Sequence, residues 1–176
     1  MKDIFLVLQR MQAEGIIGGY AIGGAVGATF YLEPVATLDV DVFVLLAAGG
    51  EGSLLVLSPV YEYLLSRGHK AEGEYIVIGD WPVQFLPPIG SLEEEAITAA
   101  AIHQVDSVAV PVMSAEHLTA IALKTGRGKD FARILQFIES GVPDPARLND
   151  ILLRHLLLDK WEQFGKRFLT PPTPHE

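Results

Sequence analysis

The stretch Leu38-Asp39-Val40-Asp41-Val42-Phe43-Val44-Leu45-Leu46 decides the interpretation of this sequence, because it is too apolar to be a loop. Side chains alternate between the two faces of a β-strand, so its even-numbered positions form one wholly aliphatic face that belongs to a core. Asp39 and Asp41 then lie next to each other on the opposite face, about 7 Å apart at roughly 3.4 Å of rise per residue. Two carboxylates at this spacing repel each other unless solvent or a cation compensates.

A bound cation and simple exposure are the two explanations for this pair of aspartates. Divalent ions about 3.5–4 Å apart form two-metal catalytic sites that alternating aspartates can hold. Alternatively, the pair marks an exposed strand end whose charges discourage aggregation. The motif alone leaves both interpretations open.

The composition indicates one sizeable core, with room for a small appendage, in a chain of 176 residues. Although 49% of the residues are hydrophobic, no apolar run reaches the 18 or so residues of a membrane span. The N-terminus lacks the long apolar segment and cleavage site of a signal peptide, so we expect none. The absence of cysteine excludes disulfides and thiolate metal sites. We therefore expect a cytoplasmic protein that does not enter the membrane.

The formal net charge of −9 bears on the class of binding partner. An acidic surface repels phosphate backbones, which disfavours a nonspecific nucleic-acid binder. A nucleotide, or the end of an RNA held at a local basic patch, is compatible with this charge. Solubility alone is another sufficient reason for it.

The order of predicted elements is α/β up to about residue 113 and helical beyond it, which predicts an α+β fold with a helical C-terminal part. We expect a core over 1–113, a helical part over 114–169 that completes the cleft, and a flexible tail over 170–176. Ser58 is predicted to be the N-cap of a helix. Pro82 indicates either that its strand lies at a sheet edge or that Pro82 lies at the start of the strand. The predicted helices are 2–14, 25–32, 58–67, 91–101, 114–124, 130–138 and one or two over 143–158; the predicted strands are 16–22, 38–46, 74–78, 81–86 and 107–113.

The Gly23-Gly24 pair lies between a predicted buried strand and a predicted helix. Glycine there allows the backbone to approach a ligand, and a helix N-terminus offers unpaired N–H groups to a phosphate. Many strand–helix turns contain glycine only because the turn is tight. However, a phosphate-binding turn followed by a strand with two aspartates is the arrangement that phosphoryl transfer from a nucleoside triphosphate requires.

These residues resemble the nucleotidyltransferase fold superfamily. The similarity lies in Ile22-Gly23-Gly24-Ala25-Val26 and in Thr37-Leu38-Asp39-Val40-Asp41, and it covers roughly residues 17–135. The chain is most similar to minimal nucleotidyltransferases related to the abortive-infection toxins of toxin–antitoxin systems. In that branch a helix with a lysine, here Lys124, is followed by an Arg-x-Lys-Asp stretch, here Arg127 to Asp130.

The resemblance implies a mixed β-sheet flanked by helices, which transfers a nucleotide from a nucleoside triphosphate to an RNA, protein or small-molecule acceptor. Asp39 and Asp41 would hold Mg²⁺, in a one-ion or two-ion site. The predicted triphosphate contacts come from the glycine turn, Thr37, Lys124 and Arg127, with Gly23 and Gly24 forming the turn. An ordinary solvated helix end is the alternative role for Lys124 and Arg127, since cations favour that end of the helix dipole.

Two departures from the superfamily pattern bear on catalysis. Gln84 stands where a third carboxylate is expected on the neighbouring strand, and an amide is neither a general base nor a good magnesium ligand. Asp80 and Asp130 are the alternative acids. Val35 occupies a position where an arginine is common in the superfamily.

Gln84 therefore favours a second hypothesis, a nucleotide-binding module with reduced catalysis. A third hypothesis is a partner-binding protein, such as one half of a toxin–antitoxin pair or a homo-oligomer, because the apolar composition suits a protein interface. The five histidines show no metal-ligand spacing, although His117 shares the predicted helix of Lys124.

Overall fold

The computed structural model describes residues 1–34, 37, 39–47 and 57–169. The chain forms two compact units, Met1–Ser114 and Ala115–Glu176, called the N-terminal and C-terminal units below. The N-terminal unit mixes helices and strands, in the order α1 (Lys2–Ala13), β1 (Ile17–Ile22), α2 (Gly24–Ala28), β2 (Val40–Leu46), α3 (Ser58–Ser66), β3 (Lys70–Glu72), β4 (Tyr75–Ile78), β5 (Trp81–Leu86), α4 (Ser91–Thr98), β6 (Ala101–Val105) and β7 (Val108–Val112).

The strands form one mixed sheet in the order β3-β4-β5-β2-β1-β7-β6. The Asp-bearing strand β2 lies near its centre, antiparallel to β1 and parallel to β5. Strand β1 also pairs in parallel with β7, while β4 with β5 and β6 with β7 form antiparallel hairpins. The predicted α+β class with a mixed sheet and helices is confirmed.

One face of β2 belongs to the core, as its alternating pattern predicts. Val40, Val42 and Val44 are fully buried, and they share a cluster with side chains of α1 and α3. On the opposite face Asp41 is only half-buried. The strand therefore presents its carboxylate on the face that does not contribute to this core.

Two elements near the aspartates are shorter than the sequence pattern predicts. Asp39 lies directly before β2, and the Thr37 hydroxyl donates to the Asp39 carbonyl at 3.2 Å, a local bond that competes with strand pairing. The predicted helix over 25–32 ends at Ala28, where the Thr29 hydroxyl donates to the carbonyl of Val26 at 2.7 Å.

Two further expectations about the N-terminal unit are wrong, and a third, on Pro82, is decided between its two alternatives. Ser58 is the first helical residue rather than the cap, because the Leu57 carbonyl accepts the bonds that start α3. Pro82 is the second residue of β5, a strand with neighbours on both sides, so the strand-start alternative is the correct one. The helix predicted over 91–101 ends at Thr98, because Ala101–Val105 pairs with β7 as a strand.

The C-terminal unit is helical in its described residues, with α5 (Ala115–Thr125), α6 (Gly128–Ser140), α7 (Pro145–Arg154) and α8 (Leu158–Phe168). Asp144 caps α7 by accepting the backbone N–H of Arg147 at 2.8 Å. The backbone N–H of Asp144 in turn donates to Glu116 Oε1 at 2.9 Å, which joins α7 to α5. Helix α8 extends ten residues beyond 158, where the predicted helical segment ends.

No helix in the described part of the chain combines the length and apolarity that a membrane crossing demands. The expectations about Val35 and about the tail over 170–176 fall outside the described residues.

Candidate functional site

The Gly23-Gly24 turn and the aspartate strand are in direct contact. The Gly23 N–H donates to the Asp41 carbonyl at 3.0 Å, so the turn continues the pairing of β1 with β2. Gly24 has φ +56°, a conformation that side chains rarely adopt. A Cβ at Gly24 would overlap Asp41 Oδ2 and would lie 2.6 Å from the Asp41 Cγ. The carboxylate of Asp41 therefore packs on the bare backbone of Gly24.

Gly23 is required for a different reason, which is packing within the same turn. A Cβ there would lie 2.6 Å from the Phe43 ring and 3.3 Å from the sulfur of Met113. Phe43 follows Asp41 on the same face of β2, and Met113 follows β7. Both glycines thus bring the turn close to the aspartate-bearing face of the sheet.

Asp39 is held by its local environment immediately before β2. The Thr37 hydroxyl lies 3.4 Å from Asp39 Oδ1, in addition to its contact with the Asp39 carbonyl. The structure therefore places Thr37, which was predicted as a triphosphate contact, against the first aspartate.

Tyr75 is a neighbour of Asp39 that no motif in the sequence indicates. Its hydroxyl is within hydrogen-bonding reach of the Glu74 carboxylate and of the Asp39 carboxylate. The hydrogen bond with Glu74, with smaller contributions from desolvation and from Asp39, raises the pKa of Tyr75 above its ordinary value. The hairpin signal at Gly79-Asp80 predicts that Tyr75 lies on a strand. It does not predict that the hairpin pairs with β2, and this pairing is what brings Tyr75 close to Asp39.

Gln84 is the cross-strand partner of Asp41. The parallel pairing of β2 with β5 aligns Asp41 with Gln84, and directly paired residues project from the same face of a sheet. The amide therefore stands beside Asp41, at the position where the superfamily resemblance implies a third acid. Asp80 is exposed in the turn before β5, four residues from Gln84 and so about 13 Å away along an extended strand. The structure places Asp80 away from Asp41.

The donor set suits magnesium bound together with a phosphate ligand. Within the described residues no group of three or more histidine, aspartate or glutamate side chains could hold a metal ion. Magnesium is commonly bound by one or two carboxylates, with waters and substrate phosphates completing its octahedron. Asp39 and Asp41 meet that requirement in number and in chemical type.

Lys124 lies in the last turn of α5, in the C-terminal unit. The Nζ of Lys160 donates to the Lys124 carbonyl at 3.2 Å, which ties the end of α5 to α8. His117, two helical turns before Lys124, is buried with 3% of its surface exposed.

Arg127 and Asp130 bind each other. Arg127 Nε and Nη2 donate to the two Asp130 carboxylate oxygens at 2.7 and 3.2 Å, and the Arg127 backbone N–H donates to Oδ2 at 3.2 Å. Asp130 is 2% exposed, and Arg133 approaches its Oδ1 at 3.9 Å. This geometry makes Asp130 the residue that closes the first turn of α6, and it gives the guanidinium of Arg127 a carboxylate partner where a phosphate was predicted.

Comparison with solved structures supports the fold. An antigenic nucleotidyltransferase-like protein from Paracoccidioides brasiliensis is 14% identical and aligns over 92% of this chain and 88% of its own, with a TM-score of 0.54. The antibiotic-resistance factor ANT(2'')-Ia, in its solution structure, is 12% identical over 94% of this chain and 96% of its own, with a TM-score of 0.51. The chain has a nucleotidyltransferase-like fold. No protein-family model and no curated protein matches the sequence.

Proposed function

We propose that this protein is a nucleotidyltransferase that moves a nucleotidyl group from a nucleoside triphosphate to an acceptor hydroxyl, with Mg²⁺ held by Asp39 and Asp41. One observation carries the proposal: the Asp41 carboxylate packs directly on the Gly24 backbone. A phosphate-binding turn and a metal-binding carboxylate must adjoin in order to act on one triphosphate. The nucleotidyltransferase-like fold supports the same function.

Each residue of the site has a distinct part in this proposal. Bound magnesium would neutralise charge on the triphosphate and polarise the phosphorus that is attacked. Asp39 and Asp41 hold the ion, and Thr37 fixes the orientation of Asp39. The turn of Gly23 and Gly24, whose Gly24 backbone adjoins the Asp41 carboxylate, would bind the phosphates beside the metal ligands. We assign phosphate neutralisation to Lys124, whereas Arg127 would first have to leave Asp130.

Incorporation of nucleotide radiolabelled at the α-phosphate tests the transfer reaction. Each triphosphate is supplied with Mg²⁺ and with RNA, protein or small hydroxyl compounds as acceptors. Replacing Asp41→Asn should reduce incorporation at least about a hundred-fold, since loss of a metal ligand removes several kcal/mol of stabilisation from the transition state.

Asp80→Asn is the matched control, because it makes the same chemical change at an exposed turn away from Asp41. The control should retain wild-type incorporation. Equal incorporation by Asp41→Asn and wild type would exclude the assignment of Asp41 as a metal ligand in catalysis.

The alignment of Gln84 with Asp41 favours a second candidate function, a nucleotide-binding module that transfers slowly or not at all. An amide at this position cannot accept the proton of an attacking hydroxyl. Calorimetric titration distinguishes the two functions. Magnesium-dependent triphosphate binding without incorporation into any acceptor would support the module, and measurable turnover would exclude it.

The relation to abortive-infection toxins, with an antitoxin as partner, stays a prediction. Co-purification of the tagged protein with the products of neighbouring genes, followed by size measurement of the complex, tests it. A monomer that captures none of those products would contradict it.

A further inference from the structure

A groove in the C-terminal unit combines aromatic and cationic side chains. It has a volume of about 380 Å³ and runs between the end of α5, the start of α6 and one face of α8. Its aromatic lining consists of Phe131, Phe164 and Phe168, and its charged lining consists of Lys124, Lys160 and Arg167. This volume falls within the range of small-ligand sites.

The pattern of α8 explains why these side chains share one surface. Lys160, Phe164, Arg167 and Phe168 follow the spacing i, i+4, i+7 and i+8, which places them on one helical face. Lys166, by contrast, pairs with Glu162 at 2.7 Å and is not one of the lining residues. Lys160 and Arg167 therefore line the groove, whereas the ion pair of Lys166 with Glu162 lies outside it.

The aromatic rings form a continuous wall. Phe131 lies 5.3 Å from Phe168 and 5.6 Å from Phe164 between ring centroids, and Phe164 lies 5.0 Å from Phe168. Phe164 is buried, which suits a structural role. Phe131 and Phe168 are only half-buried, so part of their surface remains accessible to a ligand.

The charge of the groove is opposite to that of the chain. The protein has a formal net charge of −9, yet among the described residues that line the groove the charged ones are all cations. A second depression of about 480 Å³ shares Phe131, Arg167 and Phe168 with the first, so the groove continues beyond one ligand-sized space. A long anionic ligand with flat rings fits this combination better than a compact one.

We infer that this groove binds single-stranded nucleic acid. Backbone phosphates would lie against Lys160 and Arg167, and an unpaired base would contact Phe131 and Phe168. Single-strand binding sites combine a cationic groove with aromatic side chains in this way, and they discriminate little between bases. A local basic site also explains how an acidic protein would recruit a polyanion. The inference rests on the proposed function in one respect, because it identifies the acceptor of the nucleotidyl group as a nucleic-acid strand.

Binding measured without nucleoside triphosphate tests the inference separately from catalysis. Fluorescence anisotropy of a labelled single-stranded RNA of about eight nucleotides, a length within the known range of such sites, gives the Kd for the full chain. Arg167→Glu should raise Kd at least about ten-fold and lessen the salt dependence, because a phosphate contact is lost. Phe168→Ala should raise Kd roughly five-fold or more, because base–aromatic stacking is lost.

Lys166→Glu is the matched control, since it changes the net charge as Arg167→Glu does, on the same helix but outside the groove. It should change Kd by less than about three-fold, because Lys166 lies on another face of the helix, where salt and its pairing with Glu162 screen its charge. Circular dichroism of each variant confirms that the helices remain folded. Asp41→Asn should bind RNA like the wild type, so that loss of catalysis and loss of RNA binding are told apart.

Three results would overturn the inference. The first is no measurable RNA binding by the wild-type chain. The second is equal weakening by Lys166→Glu and Arg167→Glu, which would show that overall charge rather than the groove determines affinity. The third is displacement of the RNA by a free mononucleotide at the same concentration of nucleotide units, which would assign the groove to a small ligand.

Discussion

At the scale of single residues, the contact between Gly24 and Asp41 explains why this turn requires glycine. Two costs act on any replacement: the positive φ and the overlap of a Cβ with the carboxylate. The first cost is general to left-handed backbone, whereas the second displaces a proposed metal ligand. The two can be separated by experiment, because other glycines in the N-terminal unit have positive φ and open space around them.

Gly24→Ala should destabilise the protein and also abolish magnesium-dependent nucleotide binding. The backbone cost is about 1–3 kcal/mol, measured as the free energy of unfolding in urea. Gly15→Ala is the control, because Gly15 has φ +71° and no atom within 4 Å of an added Cβ. Gly15→Ala should lose stability but keep nucleotide binding. If both variants bind nucleotide normally, the position of the Asp41 carboxylate does not depend on the glycine at position 24.

Gln84→Asp should make the stability of the protein more dependent on magnesium. A third carboxylate beside Asp41 adds like-charge repulsion without metal and an additional ligand with it. We expect a lower Tm than the wild type in EDTA and a larger rise in Tm on adding Mg²⁺. Gln84→Asn controls for the shorter side chain without the charge. A Tm of Gln84→Asp that is insensitive to Mg²⁺ would show that position 84 does not face the metal site.

At the scale of secondary-structure elements, the pair of Arg127 and Asp130 stabilises the start of α6. Asp130→Asn replaces a buried carboxylate that accepts three hydrogen bonds, and it should cost about 1.5–3 kcal/mol of unfolding free energy. Asp150→Asn is the control, because Asp150 forms an exposed i,i+4 pair with Arg154 and should contribute less than about 1 kcal/mol. Lost activity with unchanged stability in Asp130→Asn would favour a catalytic carboxylate instead.

Local patterns predicted those elements whose periodicity agrees with their tertiary contacts. The alternation in β2 and the hairpin around Gly79-Asp80 are of this kind, and both strands of the hairpin lie where they were expected. Strand β6 was missed because its pairing with β7, over Ala101 to Val105, outweighs the helical continuation of α4. Strand β3 is three exposed residues long and has no apolar pattern to reveal it.

The candidate site was predictable only where its residues belong to a local sequence pattern. Gly23 and Gly24 are adjacent in sequence, and Asp39 and Asp41 alternate within one short segment. A sequence motif can therefore reveal each pair. The alignment of Gln84 with Asp41 was expected from a resemblance, and strand pairing supplies its geometry. Tyr75 beside Asp39, and the bidentate pairing of Arg127 with Asp130, depend on side-chain positions that no spacing rule encodes.

At the scale of the whole molecule, a buried hydroxyl links stability to alkaline pH. The hydroxyl of Tyr20 has no hydrogen-bond partner among the described residues, and burial raises the pKa of Tyr20 to about 12. Because the folded-state pKa exceeds the ordinary value of about 10, the folded state holds this proton more tightly than the unfolded chain. The stability from this proton is fully present below about pH 10 and is lost as the pH rises to about 12.

Tyr20→Phe removes this titration and tests the linkage. The difference in unfolding free energy between variant and wild type should shift by about 2–3 kcal/mol in favour of the variant between pH 9 and pH 12. At neutral pH the variant should be at least as stable as the wild type, because no hydrogen bond is lost and a buried hydroxyl without a partner is removed. Parallel stability curves across this pH range would show that Tyr20 is not the responsible group.

Anomalous diffraction shows whether Asp39 and Asp41 jointly hold a divalent cation beside the glycine turn. Crystals of the full chain would be grown with Mn²⁺, in place of Mg²⁺, and a nonhydrolysable nucleoside triphosphate analogue. The predicted result is an anomalous peak roughly 2.0–2.2 Å from carboxylate oxygens of both aspartates, with phosphate oxygens completing the coordination. A triphosphate bound elsewhere, or manganese that contacts neither aspartate, would contradict the claim.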